Sequence, residues 1–136
     1  MKIYPIRLHP GDDLKQSLVS FTHQNKLQAG LILTCVGSLR LAALRLANQP
    51  GTTVLEGKFE IVSLVGTLGS DGPHLHISIS DSSGKTIGGH LQDGCLIYTT
   101  AEIVLGELEE WVFERPIDPE TRYDELAPKK RGEPLI

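Results

Sequence analysis

Cysteine occurs only twice in the 136 residues, as Cys35 and Cys95, far apart and never as a CxxC pair. That excludes a disulfide scaffold and points to free thiols filling apolar strands in a reducing cytoplasm. No apolar run approaches the ~18 residues that a bilayer crossing needs. The opening MKIYPIRLHPG lacks the apolar stretch and small-residue cleavage site of a secretory leader. The expectation is a cytoplasmic protein with no membrane association. An excess of one charge is also lacking: 13 Lys and Arg stand against 17 Asp and Glu, a net charge of −4. A uniformly basic surface is thereby excluded, and with it a strong autonomous grip on nucleic acid phosphates. Neither a Gly-rich phosphate loop nor a nucleophile elbow occurs.

What is present is an ordinary globular balance, 40% hydrophobic and 22% charged, in a length suited to one domain. Glycine punctuates it, and nine of the 14 fall between Gly57 and Gly106, cutting that region into short strands. KIYPIRLH reads as a first strand. Pro10-Gly11-Asp12-Asp13 then turns the chain and places acids at a helix amino terminus. Leu14, Leu18 and Phe21 recur at helical spacing, which predicts a helix from Leu14 to about Lys26. LILTCVGSL and Leu39–Ala47 read as two strands, closed by the turn residues Asn48-Gln49-Pro50-Gly51. FEIVSLVGTL, HLHISIS, KTIGGHL and CLIYTTAEIVL follow as strands, and Trp111 and Phe113 flank Val112 in a last one. The fold class is α+β: one domain, a mostly antiparallel sheet with one main packed helix. Residues 116–136 hold four of the eight prolines and a mixed charge run, which predicts an extended tail with a disordered end.

The chemistry concentrates in GPHLHISISDSSGKTIGGHL. Side chains alternate across a strand, so His74, His76, Ser78 and Ser80 share one face while Leu75, Ile77 and Ile79 share the other. Asp81-Ser82-Ser83-Gly84-Lys85 reads as a tight hairpin connection. If Asp81 faces Lys85, Ser80 meets Thr86, Ser78 meets Gly88 and His76 lies opposite His90, with His74 its diagonal neighbour. Opposed Cβ atoms lie ~4.5–5.5 Å apart, so three imidazoles gather on one face of one hairpin. Three neutral imidazoles with an open fourth position make a catalytic-type zinc site, able to activate water or polarise a carbonyl. Gly88 and Gly89 leave room beside His90 for a ligand to approach. Glu102, in the otherwise apolar CLIYTTAEIVL, is the candidate base or fourth ligand, subject to a register that the spacing does not fix. The bland alternative is a half-exposed polar strand face, and a slip of one residue would carry His90 to the other side.

These residues resemble a family. Gly57-Lys58-Phe59-Glu60-Ile61, Ser63-Leu64 and Gly66-Thr67, then HLHISISDSSGKTIGGHL and GCLIYTTAEIVL, resemble the plant and prokaryote conserved (PPC) domain. RLHPGDDL and VGSLRLAAL extend the likeness, which spans about residues 2 to 115. The resemblance implies a PPC-like domain over residues 1–115, assembled as a homotrimer, and a stand-alone prokaryotic member. Its plant relatives carry an AT-hook and regulate transcription, the domain mediating association with other regulators. The fold is similar to those of acetolactate decarboxylase and of a zinc-dependent ester hydrolase family, which hold zinc by an HxH pair and a further His. Carried over by position, His74, His76 and His90 match that pattern, and zinc is the implied cofactor.

Two functions are thus expected. One is a trimeric binding or regulatory module, an associate of DNA-binding regulators, with a small-molecule ligand near the three-His metal site. The alternative is a zinc-dependent hydrolase or lyase acting on a small ester or carbonyl substrate. The AT-hook core is absent: Arg131-Gly132-Glu133-Pro134 places an acid where the hook needs a second Arg, so autonomous DNA binding is not expected. His9 and His23 read as boundary and surface residues. Arg7, Arg40 and Arg45 lie on strand-like segments, where they are solvated or line an interface or an anion pocket.

Overall fold

A computed structural model describes residues 1–133. In chain order the elements are β1 (Lys2–Leu8), α1 (Leu14–Gln24), β2 (Gly30–Arg45), β3 (Thr53–Leu68) and β4 (His74–Ser80). They continue with β5 (Thr86–Leu91), β6 (Leu96–Glu107), β7 (Trp111–Glu114) and β8 (Ala127–Lys130). Six strands form one antiparallel sheet in the order β1-β6-β2-β3-β4-β5, while β7 and β8 make a separate ribbon. Among the described residues one helix and the antiparallel sheet give the α+β class expected. Among the described residues no helix is long and apolar enough to cross a membrane.

The sheet bends back on itself. β5 returns to the far end of β2, pairing Leu44 with Leu91 and Arg45 with His90. β2 therefore touches β3 along one edge and β6, then β5, along the other. LILTCVGSL and Leu39–Ala47, expected as two strands, belong to this one long strand. The join is a register shift between Leu39 and Leu41, where an irregularity bends the strand without ending it. The core lies within the bend: Leu39, Ala42, Leu44, Ile79, Ile97, Ala101 and Leu105 have no exposed surface.

The helix seals one opening of that core. Leu14 and Leu18 are fully buried, with Thr22 one turn further on, because residues four apart lie on one helix face. Asp13 caps it, one carboxylate oxygen accepting the Gln16 N–H at 3.0 Å. The other oxygen accepts the Gly94 N–H at 2.7 Å and ties the helix start to the loop before β6. The helix ends at Gln24, short of Lys26, which takes a left-handed φ of 54°. Cys95 is buried and exchanges hydrogen bonds with the Ala43 backbone, and burial pushes its thiol up to about 11. Cys35 is half-buried and likewise raised to about 11 by burial, so both remain unreactive thiols at neutral pH.

Residues 116–133, expected as an extended tail, turn back on the domain. β8 pairs with β7, Lys129 forms a salt bridge with Glu114 at 2.6 Å, and Ile117 bridges to Asp124. Proline favours such turns as readily as extension, and Asp118 closes the bend by accepting the N–H groups of Glu120 and Thr121. The expected disordered end falls largely on residues 134–136, outside the described residues.

Candidate metal centre

The hairpin β4–β5 is built from alternation. Leu75, Ile77 and Ile79 are at most 2% exposed and anchor β4 on the core, so His74 and His76 must face outward. The connecting turn is locked by Asp81, whose Oδ1 accepts from the Ser83 N–H, the Ser83 hydroxyl and the Lys85 N–H. Several hydrogen bonds to its charged form hold the Asp81 carboxyl below the usual range. With the turn fixed, the register follows: Ser80 opposite Thr86, Ser78 opposite Gly88 and His76 opposite His90. These are the pairs that the spacing predicts.

The three rings meet. Their centroids lie 5.0 Å apart for His74 and His76, 5.3 Å for His74 and His90, and 5.7 Å for His76 and His90. Each ring offers a nitrogen, and the three nitrogens lie within 4.8 Å of one another. Burial and then the Arg45 charge push His90 down to about 4, and burial followed by Arg115 lowers His74. Both rings are neutral at pH 7, the form in which imidazole ligates a metal. This donor set fits a divalent ion that accepts nitrogen ligands, zinc among them.

A cleft of about 990 Å³ opens over the rings, of a size that holds a small molecule. Its walls come from the β2–β3 turn, from Asp71 and Pro73 ahead of β4, and from Arg115, Tyr123, Asp124 and Glu125 of the carboxyl-terminal segment. Nη2 of Arg115 donates to Nδ1 of His74 at 2.9 Å. Glu125 is close enough for its charge to act on His74, and its Oε1 accepts the Thr121 hydroxyl at 3.0 Å.

Glu102, the candidate base or fourth ligand, is not brought to the histidines. It stands exposed on β6, paired with Arg7 of β1 and Val36 of β2, and does not line the cleft. The strand beside β5 at the site is β2, which leaves β6 on another part of the sheet. Gly88 and Gly89 line the cleft, but they are tied to backbone packing as well. A Cβ on Gly89 would sit 2.7 Å from the Arg45 carbonyl oxygen, and one on Gly88 would sit 2.7 Å from that of Ile77. Of the three arginines, Arg45 alone reaches the cleft, while Arg7 donates to Thr100. His9 and His23 are exposed and lie outside the cluster. Sequence reasoning missed Arg115, Tyr123, Asp124 and Glu125. The one available signal was a charge run beyond a strand that ends at the residue before Arg115.

Comparison with known proteins shows the family and the fold. A structure from Salmonella cholerae-suis, a hypothetical protein, superposes with a TM-score of 0.94 at 45% identity, covering 96% of this chain and 94% of that one. A metal-containing protein from Archaeoglobus fulgidus superposes at 0.72 with 26% identity over 93% of both chains. Among curated proteins, the bifunctional protein GlmU of a Synechococcus strain is 55% identical over 126 residues, 93% of this chain and 20% of that protein. The AT-hook motif nuclear-localized protein 13 of Arabidopsis thaliana is 31% identical over 113 residues, 74% of this chain and 25% of that protein. The chain thus spans about a fifth of the length of the GlmU relatives that it matches. The profile of the Plants and Prokaryotes Conserved (PCC) domain matches residues 1–109, and the chain belongs to that family, the PPC domain of the sequence reading.

Proposed function

We propose that the chain is a trimeric PPC-domain binding module, cytoplasmic, whose hairpin site His74, His76 and His90 holds zinc beneath a small-molecule cleft. One observation carries the reading: three imidazole nitrogens converge within 4.8 Å at an open cleft. The metal content of the Archaeoglobus relative supports it. The occurrence of a homologous stretch as about a fifth of a longer GlmU protein supports the module role. Assembly draws support from apolar side chains left in solvent on three strands: Ile3 of β1, Val36 of β2, and Val62 and Val65 of β3. The net charge of −4 argues that any DNA association runs through partner regulators.

The second reading, a zinc-dependent hydrolase or lyase for a small ester or carbonyl compound, is favoured by the groups around the rings. The bound ion would supply Lewis acidity toward a carbonyl oxygen or a water. Arg115 is placed to orient an anionic substrate, and the Glu125 carboxylate lines the same cleft. The likeness to acetolactate decarboxylase and to the zinc ester hydrolases rests on the histidine pattern.

Metal content per protomer of untagged protein, measured beside a His74→Ala, His76→Ala, His90→Ala variant and beside Glu102→Gln, tests the site. Stoichiometric zinc in the wild type and in Glu102→Gln, lost in the triple variant, is the expected result. A wild type that retains no zinc after it is added back overturns the proposal. Light scattering checks the trimer, and turnover of small esters and 2-oxo acids decides between module and enzyme.

A further inference from the structure

Two guanidinium groups face the three-His cleft, Arg45 from the end of β2 and Arg115 from just after β7. Among the described residues neither forms a salt bridge. Arg45 sits opposite His90 where the sheet closes, and its charge acts on both His90 and His74. Arg115 is held at two points. Its backbone N–H donates to Asp71 at 2.9 Å and its Nη2 donates to Nδ1 of His74 at 2.9 Å.

The second bond opposes metal binding. A guanidinium only donates, so Nδ1 of His74 accepts and the proton of the neutral ring sits on Nε2. While Arg115 holds it, neither nitrogen of His74 has a lone pair to give. A divalent ion beside a guanidinium is also repelled. Arg115 must leave His74 before the third ligand is available, and it then needs another acceptor.

The charge of the loaded cleft indicates what that acceptor is. The other charged groups lining it are Asp71, Asp124 and Glu125. Two guanidiniums and a divalent ion against three carboxylates leave one formal positive charge. A carboxylate supplies the compensating charge, and its two oxygens match the guanidinium fork. The bond it replaces is charged on the donor side alone, whereas the carboxylate pair is charged on both sides and bidentate.

We propose that the cleft binds a small monocarboxylate through Arg115 and Arg45, and that it binds cooperatively with the metal because the carboxylate draws Arg115 off His74. The inference rests on the three-His zinc reading. Arg115 is then a switch between two partners, an imidazole in the free protein and a carboxylate in the loaded one.

Calorimetric titration of zinc into the untagged full chain tests it, in sodium chloride, sodium propionate and sodium sulfate at equal ionic strength. Zinc affinity rises on the order of tenfold in propionate over chloride, within the usual range of coupling between sites. Arg115→Gln binds zinc more tightly than the wild type in chloride and no longer responds to propionate. Zinc bound with equal affinity in chloride and propionate overturns the coupling and leaves the metal site standing. Sulfate acting as strongly as propionate overturns the monocarboxylate assignment. No zinc bound in any buffer removes this inference and the metal site together. The wild-type titrations decide the matter even if the variant fails to fold.

Discussion

Gly66 lies on β3 opposite Leu75, beside the pairing of Thr67 with His74, and its φ is +139°. A Cβ there would sit 1.9 Å from the His74 carbonyl oxygen and 2.9 Å from the carbonyl carbon, where ordinary contacts begin near 3.4 Å. These atoms are backbone, which cannot swing aside as a side-chain tip would. Gly66→Ala must therefore push β4 off β3 by about 1.5 Å at the residue that carries the first imidazole, the shortfall between those two distances. The backbone strain costs about 1–3 kcal/mol, and one ladder hydrogen bond weakened by the shift adds about 1. A loss of about 2–4 kcal/mol lowers the melting temperature of a domain this size by roughly 10 °C. Zinc affinity should fall too, because His74 moves while His76 and His90 stay paired across β4 and β5. Gly51→Ala is the control: its Cβ would meet nothing within 4 Å and its φ is unremarkable. Thermal melts of the apoprotein and zinc titrations of the two variants give the comparison. A Gly66→Ala protein that melts with the wild type and binds zinc equally well would refute the claim that this close approach sets the hairpin.

Asp13→Ala removes an acceptor for both the Gln16 and Gly94 N–H groups and should cost about 1–2 kcal/mol, read as a lower apoprotein melting temperature. Asp13→Asn, which keeps one acceptor oxygen, should recover part of it. The stability of the apoprotein should also fall as pH drops from about 6.5 towards 4. Because the folded pKa of His90, about 4, lies below its ordinary value of 6.5, the unfolded chain takes up the proton first across that window. Lowered His74 adds in the same direction. Melts between pH 4 and 7 should show a shallower slope for His90→Asn than for the wild type, and an unchanged slope would contradict the origin given for the shift.

What the sequence made legible was the part governed by local geometry. The β4–β5 register follows from a pleat of period two and a short turn, so the pairing of His76 with His90 could be counted along the chain. Nothing comparable fixed the neighbour of β5. Its pairing with Arg45 depends on a bend of the whole sheet, which is why Glu102 looked available and proved to stand elsewhere. The bulge within β2 hid for a related reason, since Leu39-Arg40-Leu41 looks like a break between strands when it is a bend in one. Arg115 meets His74 from the residue after β7, and Glu125 lines the cleft only because residues 116–133 double back, tertiary events without a periodic signature.

That returning segment has a consequence for how specificity could diversify. The imidazoles are fixed by β2, β4 and β5, inside the stretch that defines the family, while one wall of the cleft comes from residues 115–125, beyond its end at 109. The histidine cluster and one wall of the cleft are thus encoded by separate stretches of chain. Exchanging residues 110–133 between two such proteins should transfer ligand preference while leaving the three histidines in place. The same arrangement would let a lineage acquire new ligands by editing one short terminal stretch, without disturbing the sheet on which the whole domain depends.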